Sequence, residues 1–122
     1  MLPKNFKPIA NYALVRLGKD YDGGYLINKE SIEQTKLLLS FGICDDFSFE
    51  VDFKKHNNCP IIAIDPTSTN KFFLKKIIFN FLKFEFKNFL SSIFNFYNFK
   101  KFFNEKENLL IQKKIGTGGS LN

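Results

Sequence analysis

The sequence predicts an α/β fold in which a few parallel strands are joined by helices, and three features lead there. Two compact apolar runs, Leu37–Phe41 (LLLSF) and Ile61–Ile64 (IIAI), read as buried strands. Each is halted by chain chemistry, the first at Gly42 and the second at Asp65-Pro66, where proline cannot extend a strand. Between them, Phe47–Asn57 places Phe49, Val51 and Phe53 in a short helical stretch that stops at Asn57-Asn58. Strand, helix and strand within about 30 residues predict a right-handed βαβ crossover.

The remaining elements follow in chain order. Residues 1–12 form an irregular lead-in containing Pro3 and Pro8. Ala13–Leu17 and Tyr25–Asn28 then flank Gly18-Lys19-Asp20-Tyr21-Asp22-Gly23-Gly24, and Asp22-Gly23-Gly24 has the tolerance of positive φ that a hairpin loop needs. Ser31 is placed to cap a short helix running through Glu33 to Lys36. Asp45 or Asp46 opens the helix that follows the first buried strand. Lys71–Glu107 is repetitive text whose length favours one or two helices, although its Phe/Lys alternation also fits a strand. Phe73, Ile77, Phe81 and Phe84 would form one helical stripe there, with Lys76, Lys83 and Lys87 on other faces. Leu109–Gln112 is a third strand, followed by a turn at Gly116–Ser120.

At 122 residues, 44% of them apolar, the chain is a single domain with enough material for a core. Within it, 1–36 is a lead-in hairpin and helix, 37–67 the βαβ unit and 71–107 the Phe/Lys-rich segment. Seventeen Phe, one Met and no Trp, with abundant Lys, Asn and Ile, point to an AT-rich coding bias that accounts for part of the Phe content. The net charge of +6 is concentrated, since Lys71–Glu107 carries eight Lys against three Glu and twelve of the Phe. Cys44 and Cys59 have neither disulfide-framework nor metal-site spacing, so a reducing, cytoplasmic setting is expected. The N-terminus lacks the apolar core of a secretory signal. Lys and Asn interrupt every Phe run before it reaches membrane-spanning length.

The sharpest chemical feature is Ser40–Glu50 (SFGICDDFSFE) followed by IIAIDPT. A nucleotide-type cofactor on a doubly wound sheet lies at the carboxyl ends of the strands. It needs a glycine after the first strand and an acidic residue after the second, and Gly42 and Asp65 fill those positions. The full G-x-G-x-x-G is absent, with Cys44 at the place of a second glycine. Spacing alone fits equally a tight turn and an aspartate capping the next loop.

The blocks RLGKDYDGGYLI, LLSFGICDDFSFEVDF and IIAIDPT are similar, in order and spacing, to the FkbM-like and related methyltransferase-like families. The resemblance implies the N-terminal part of a Rossmann-like class I methyltransferase fold, with the hairpin and about three strands of its parallel sheet. It implies S-adenosylmethionine as cofactor and a hydroxyl on a sugar, glycan or related small molecule as acceptor. By position, Gly42 would approach the methionine part and Asp65 the ribose, while Asp46, Ser48 and Glu50 lie along the pocket wall. Gly23, Gly24 and Tyr25 would sit near the cofactor mouth. Asp46 and Ser48 serve equally well as ordinary helix-start residues.

No catalytic base is assigned and no metal cluster is present in the sequence; His56 reads as an exposed loop residue and Arg16 as a surface strand residue. By family analogy the sheet needs further strands, so the chain is expected to be a truncated domain with an unpaired edge and an uncovered face. The Phe/Lys segment reads first as a core face beside a solvated one. The alternative is a small peripheral-membrane protein binding through that helix. Nucleic acid is the least favoured partner, because its single-strand grooves require a platform fold not indicated here.

Overall fold

The computed structural model describes residues 11–20 and 23–116. Leu14–Leu17 (β1) and Tyr25–Asn28 (β2) pair antiparallel, with Leu14 opposite Asn28 and Leu17 opposite Tyr25. Within this hairpin Gly18 is left-handed, at φ +87, and Asp22 of the expected Asp22-Gly23-Gly24 turn lies outside the described residues. Lys29–Gln34 (α1) follows at once, capped by Asn28, whose Oδ1 accepts from the Glu30 N–H. The expected cap, Ser31, lies inside the helix instead. Asn caps at least as well as Ser and comes earlier in the chain, so the helix starts there and closes before Lys36.

The larger unit comprises Leu38–Phe41 (β3), Ser48–His56 (α2), Ile61–Ile64 (β4), Asn70–Leu82 (α3), Phe86–Phe103 (α4) and Asn108–Ile111 (β5). Strands β3, β4 and β5 form a parallel sheet in that order, with Leu38 beside Ile61 and Ile61 beside Asn108. The expected mixed α/β architecture is present, and its sequential strand order is that of one half of a doubly wound sheet. The lead-in before Asn11 and the turn beyond Gly116 lie outside the described residues.

Only one strand is as buried as the apolar runs predict. In β4, Ile61 and Ala63 are completely buried, packed with Phe47, Phe73, Phe99 and Phe102 from the helical layer. Side chains alternate across a sheet, so the register puts Leu39, Ile62 and Leu109, then Phe41, Ile64 and Ile111, on the opposite face. That face lies open, and Leu39 and Phe41 of β3 are 51% and 60% exposed. The expectation of a fully buried β3 therefore fails because β3 is an edge strand with helices on one side only. A second, smaller core gathers Leu17, Ile32, Phe53 and Cys59 beneath the hairpin.

The Phe/Lys segment is a pair of helices, and its predicted stripe holds only at the start. Phe73 is buried and Ile77 half-buried, but Phe81 and Phe84 are exposed. Phe84 is not helical. It sits between α3 and α4 at φ +57, where its N–H bonds to the Phe81 carbonyl and the Glu85 N–H to the Asn80 carbonyl. This is the Schellman arrangement, and its left-handed position is normally glycine because a Cβ is strained there. Phe84→Gly is expected to stabilise the fold by about 0.5–1 kcal/mol, the relief of strain outweighing the added freedom of the unfolded chain. Urea denaturation measures it; an unchanged or lower midpoint contradicts this account of the turn.

Candidate functional site

The loops at the carboxyl ends of the three parallel strands are laced together by side chains. Asp65, directly after β4, is 2% exposed. Its Oδ2 accepts from the Cys44 N–H, and its Oδ1 accepts from the Thr67 N–H, the Thr67 hydroxyl and the Ser68 N–H. The Ser68 hydroxyl donates to the Cys44 carbonyl, and the Gln112 amide beyond β5 donates to the Ser68 carbonyl. A carboxylate has about four lone-pair sites, so Asp65 is saturated by its own loops. Burial pulls its pKa upward, but the Thr67, Cys44 and Ser68 donors outweigh that and hold it below the usual aspartate value.

Gly42 begins the β3–α2 loop at φ +69, a conformation that favours glycine. A Cβ on Gly42 would meet nothing within 4 Å, so the backbone there borders open space. Cys44 is also left-handed, at φ +48, and burial pushes its thiol pKa up, which argues against a reactive thiolate.

At the start of α2, Asp46 Oδ1 accepts from the Ser48 N–H. The hairpin docks on this turn, because the Lys19 N–H donates to the Ser48 hydroxyl and the Gly18 N–H to Asp52 Oδ2. The Lys19 ammonium lies 3.3 Å from Asp46 Oδ1. Burial raises the Asp46 pKa, and Ser48 with Lys19 more than reverses that, leaving it lowered. Gly23 is glycine for lack of room: a Cβ would stand 2.3 Å from Asp46 Oδ2. Gly24 is similarly confined by the Lys19 carbonyl and the Arg16 guanidinium. Arg16 donates to the Lys19 carbonyl and faces Asp20 at 3.6 Å, in an exposed pair of small energetic value.

Glu50, on the next turn of α2, is 2% exposed. Its Oε1 accepts from the Ser40 hydroxyl of β3, while Oε2 has no hydrogen-bond partner among the described residues. Burial, chiefly, raises its pKa; the Ser40 bond opposes this and the Asp46 charge adds to it. Ser40 and Glu50 line a cleft of about 870 Å³ between the hairpin and the bare edge of β3. Of the candidate residues, Gly23, Tyr25, Gly42, Asp46 and Glu50 line this cleft, with Tyr25 edge-on to Phe49. Gly24, Ser48 and Asp65 stand behind it as supports. His56 is the exposed last residue of α2, and no group of three or more metal-ligating side chains occurs among the described residues. Nor is any described helix long and apolar enough to cross a membrane.

Compared with protein-family models, with curated proteins and with solved structures, the chain finds no match in any of the three. Several contributors were not singled out from sequence: Ser40, Asp52, Thr67, Ser68 and Gln112. Ser40 had a visible signal, a lone hydroxyl in an apolar strand, which asks for a buried polar partner. Asp52, Ser68 and Gln112 have partners remote in the chain, while Thr67 bonds to Asp65 two residues before it, an ordinary loop contact.

Two stability measurements test these assignments. Folding raises the Glu50 pKa, so the folded chain holds that proton more tightly, and stability falls as pH rises from the ordinary carboxyl range through the folded value. Glu50→Gln is therefore expected to raise stability at neutral pH by about 1 kcal/mol, with the gain vanishing near pH ~4. Denaturation midpoints across pH check this, and a pH-independent difference refutes it. Asp65 has the opposite sign: its stabilisation is present above the unfolded value and lost as pH falls through the folded one. Asp65→Asn puts an amide donor against existing donors and should cost about 2–3 kcal/mol at neutral pH; a loss under half a kcal/mol would show that the lacing contributes little.

Proposed function

We propose that the cleft beside β3 binds S-adenosylmethionine and that the chain belongs to a methyltransferase of the Rossmann-like class I kind. The single observation that carries this reading is the unpartnered Glu50 oxygen, buried at the wall of a cleft at the strand ends. A buried acceptor of this kind calls for a donor, best a cationic one, and S-adenosylmethionine brings an ammonium group and a sulfonium. Gly42 supports the fit, since its bare Cα leaves room for a ligand to approach the backbone. Asp46, held below the usual aspartate pKa, keeps a negative charge on the same cleft.

Asp65 supports the reading differently from its expected ribose contact. Its carboxylate would have to exchange donors to reach a hydroxyl, and as it stands it braces the loop that Gly42 begins. When bound, the cofactor supplies an activated methyl on sulfur. The chain's own contribution is to orient it, through Glu50 and the Gly42 backbone, and to shield it beneath Tyr25 and the hairpin. A sugar or similar hydroxyl as acceptor rests on the motif resemblance alone, as does a cytoplasmic setting on two free cysteines. Such an acceptor needs a base to take its proton, and none is assigned among the described residues.

Titration calorimetry of the purified, folded chain with S-adenosylmethionine should give saturable binding. Glu50→Gln should weaken it about tenfold, the usual worth of a hydrogen bond to a charged group, while making the free protein more stable. An absence of heat from a folded sample, or equal affinity in the variant, would overturn the reading.

A further inference from the structure

We infer that the tip of the α3–α4 helical hairpin is a docking element for an anionic lipid surface, independent of the cleft. The base of the hairpin belongs to the fold: Phe73 of α3 and Phe96, Phe99 and Phe102 of α4 pack against the sheet layer. The outermost polar ties to that body are the Lys76 ion pair with Asp45 and the Asn95 amide bonded to the Asp45 carbonyl at 2.9 Å. Past them the helices hold each other. The Asn80 amide donates to the Ser92 hydroxyl at 2.8 Å, and Phe81 meets Phe89 at 5.4 Å between ring centroids. From Asn95 back to Phe86, α4 carries this arm about 13 Å past the tie, at the rise of an α-helix.

The arm's surface is opposite in character to an ordinary solvated tip. Phe79, Phe81, Leu82, Phe84, Phe86 and Leu90 each expose more than half of their area. Lys75, Lys83 and Lys87 surround them against one carboxylate, Glu85, which accepts from the Asn88 amide. The Lys83 ammonium lies 4.3 Å over the Phe79 ring, so its stem runs along apolar surface while its charge stays outward. Apolar side chains at an end, ringed by flexible cations, complement a bilayer interface with anionic headgroups. Single-strand nucleic-acid sites instead combine a basic groove with a stacking platform such as an OB barrel, which a helical hairpin does not provide.

Phe84 supplies a second, independent observation. It is 79% exposed and occupies a left-handed backbone position that glycine would fill without strain. A bulky residue kept at the outermost turn, at a cost to the fold, points to use of its side chain. Because no described helix is long and apolar enough to cross a membrane, the tip would insert shallowly among headgroups and upper acyl chains.

The test is co-sedimentation of the full chain with phosphatidylcholine vesicles and with vesicles that also contain phosphatidylserine. Partition onto the anionic vesicles is expected, with little onto neutral ones, and it should fall as salt rises. Phe84→Gly should cut the partition coefficient about tenfold, as expected for loss of one inserted aromatic side chain, while the variant remains at least as stable as the parent. Lys83→Glu with Lys87→Glu should abolish the preference for anionic lipid. A wild-type chain that stays in the supernatant, or a Phe84→Gly variant that partitions equally, overturns the inference. So does self-association without lipid that Phe84→Gly disperses, since the tip would then be an interface between copies.

Discussion

The candidate site depends on one buried carboxylate. Asp65 sits where β4 ends and gathers N–H groups from the loops after β3 and β4, while Ser68 carries the connection to Gln112 after β5. Parallel strands present their carboxyl ends at one edge of the sheet, and the loops leaving that edge have backbone groups that the ladder no longer satisfies. A single ionised side chain answers several of those donors together and fixes the loops relative to one another. Gly42 and Cys44 take left-handed conformations in the loop so fastened, and the wall of the cleft is set by that loop.

The second dependence is between the hairpin and α2. Gly18 and Lys19 donate from the hairpin to Asp52 and Ser48, while Gly23 packs directly on the Asp46 carboxylate. The glycine-rich block and the acidic block are separate stretches of sequence, yet they form the two surfaces of one tight contact. Their joint presence therefore has a structural cause besides any ligand. What that contact leaves over is informative: Glu50 and Gly42 are not consumed by it, the first keeping a buried oxygen without a hydrogen-bond partner among the described residues and the second a bare Cα beside open space.

Much of the architecture was legible because it rests on local pattern. Ile61–Ile64 matches its predicted limits to the residue, since prolines at 60 and 66 bound an apolar run. The division of the Phe/Lys text into helices also followed from its length. Exposure was less legible. The run at Leu37–Phe41 looks as apolar as β4, but its burial depends on whether another layer covers the sheet, which composition does not encode. Among site residues, Asp46 and Ser48 lie at the start of α2, although its N-cap position is Phe47 and carries no side-chain cap bond, and Gly42 turns the chain after β3. The Thr67 and Ser68 donors to Asp65 are local, as expected of an aspartate capping the next loop, whereas the Cys44 donor and the docking of Gly23 were hidden, because both depend on partners far along the chain. Phe84 was assigned to a helical face for the same reason that it stands out in the structure: an aromatic residue occupies a glycine position.

The order of the strands also bears on how the molecule comes to be made. In the sheet, β3, β4 and β5 lie side by side in the order in which the chain delivers them, so each new strand finds its partner already beside it. Growth from one edge needs no distant closure beyond an ordinary crossover, which keeps the entropic cost of each step modest. The hairpin is out of step with this, since its docking residues on α2 are synthesised after it and β1 and β2 must wait for them. The lacing of the strand ends is completed later still, because Gln112 follows β5 and emerges after all three strands. The residues that line the cleft, from Gly23 to Glu50, are therefore made before the lacing that fastens the loop after β3 can close.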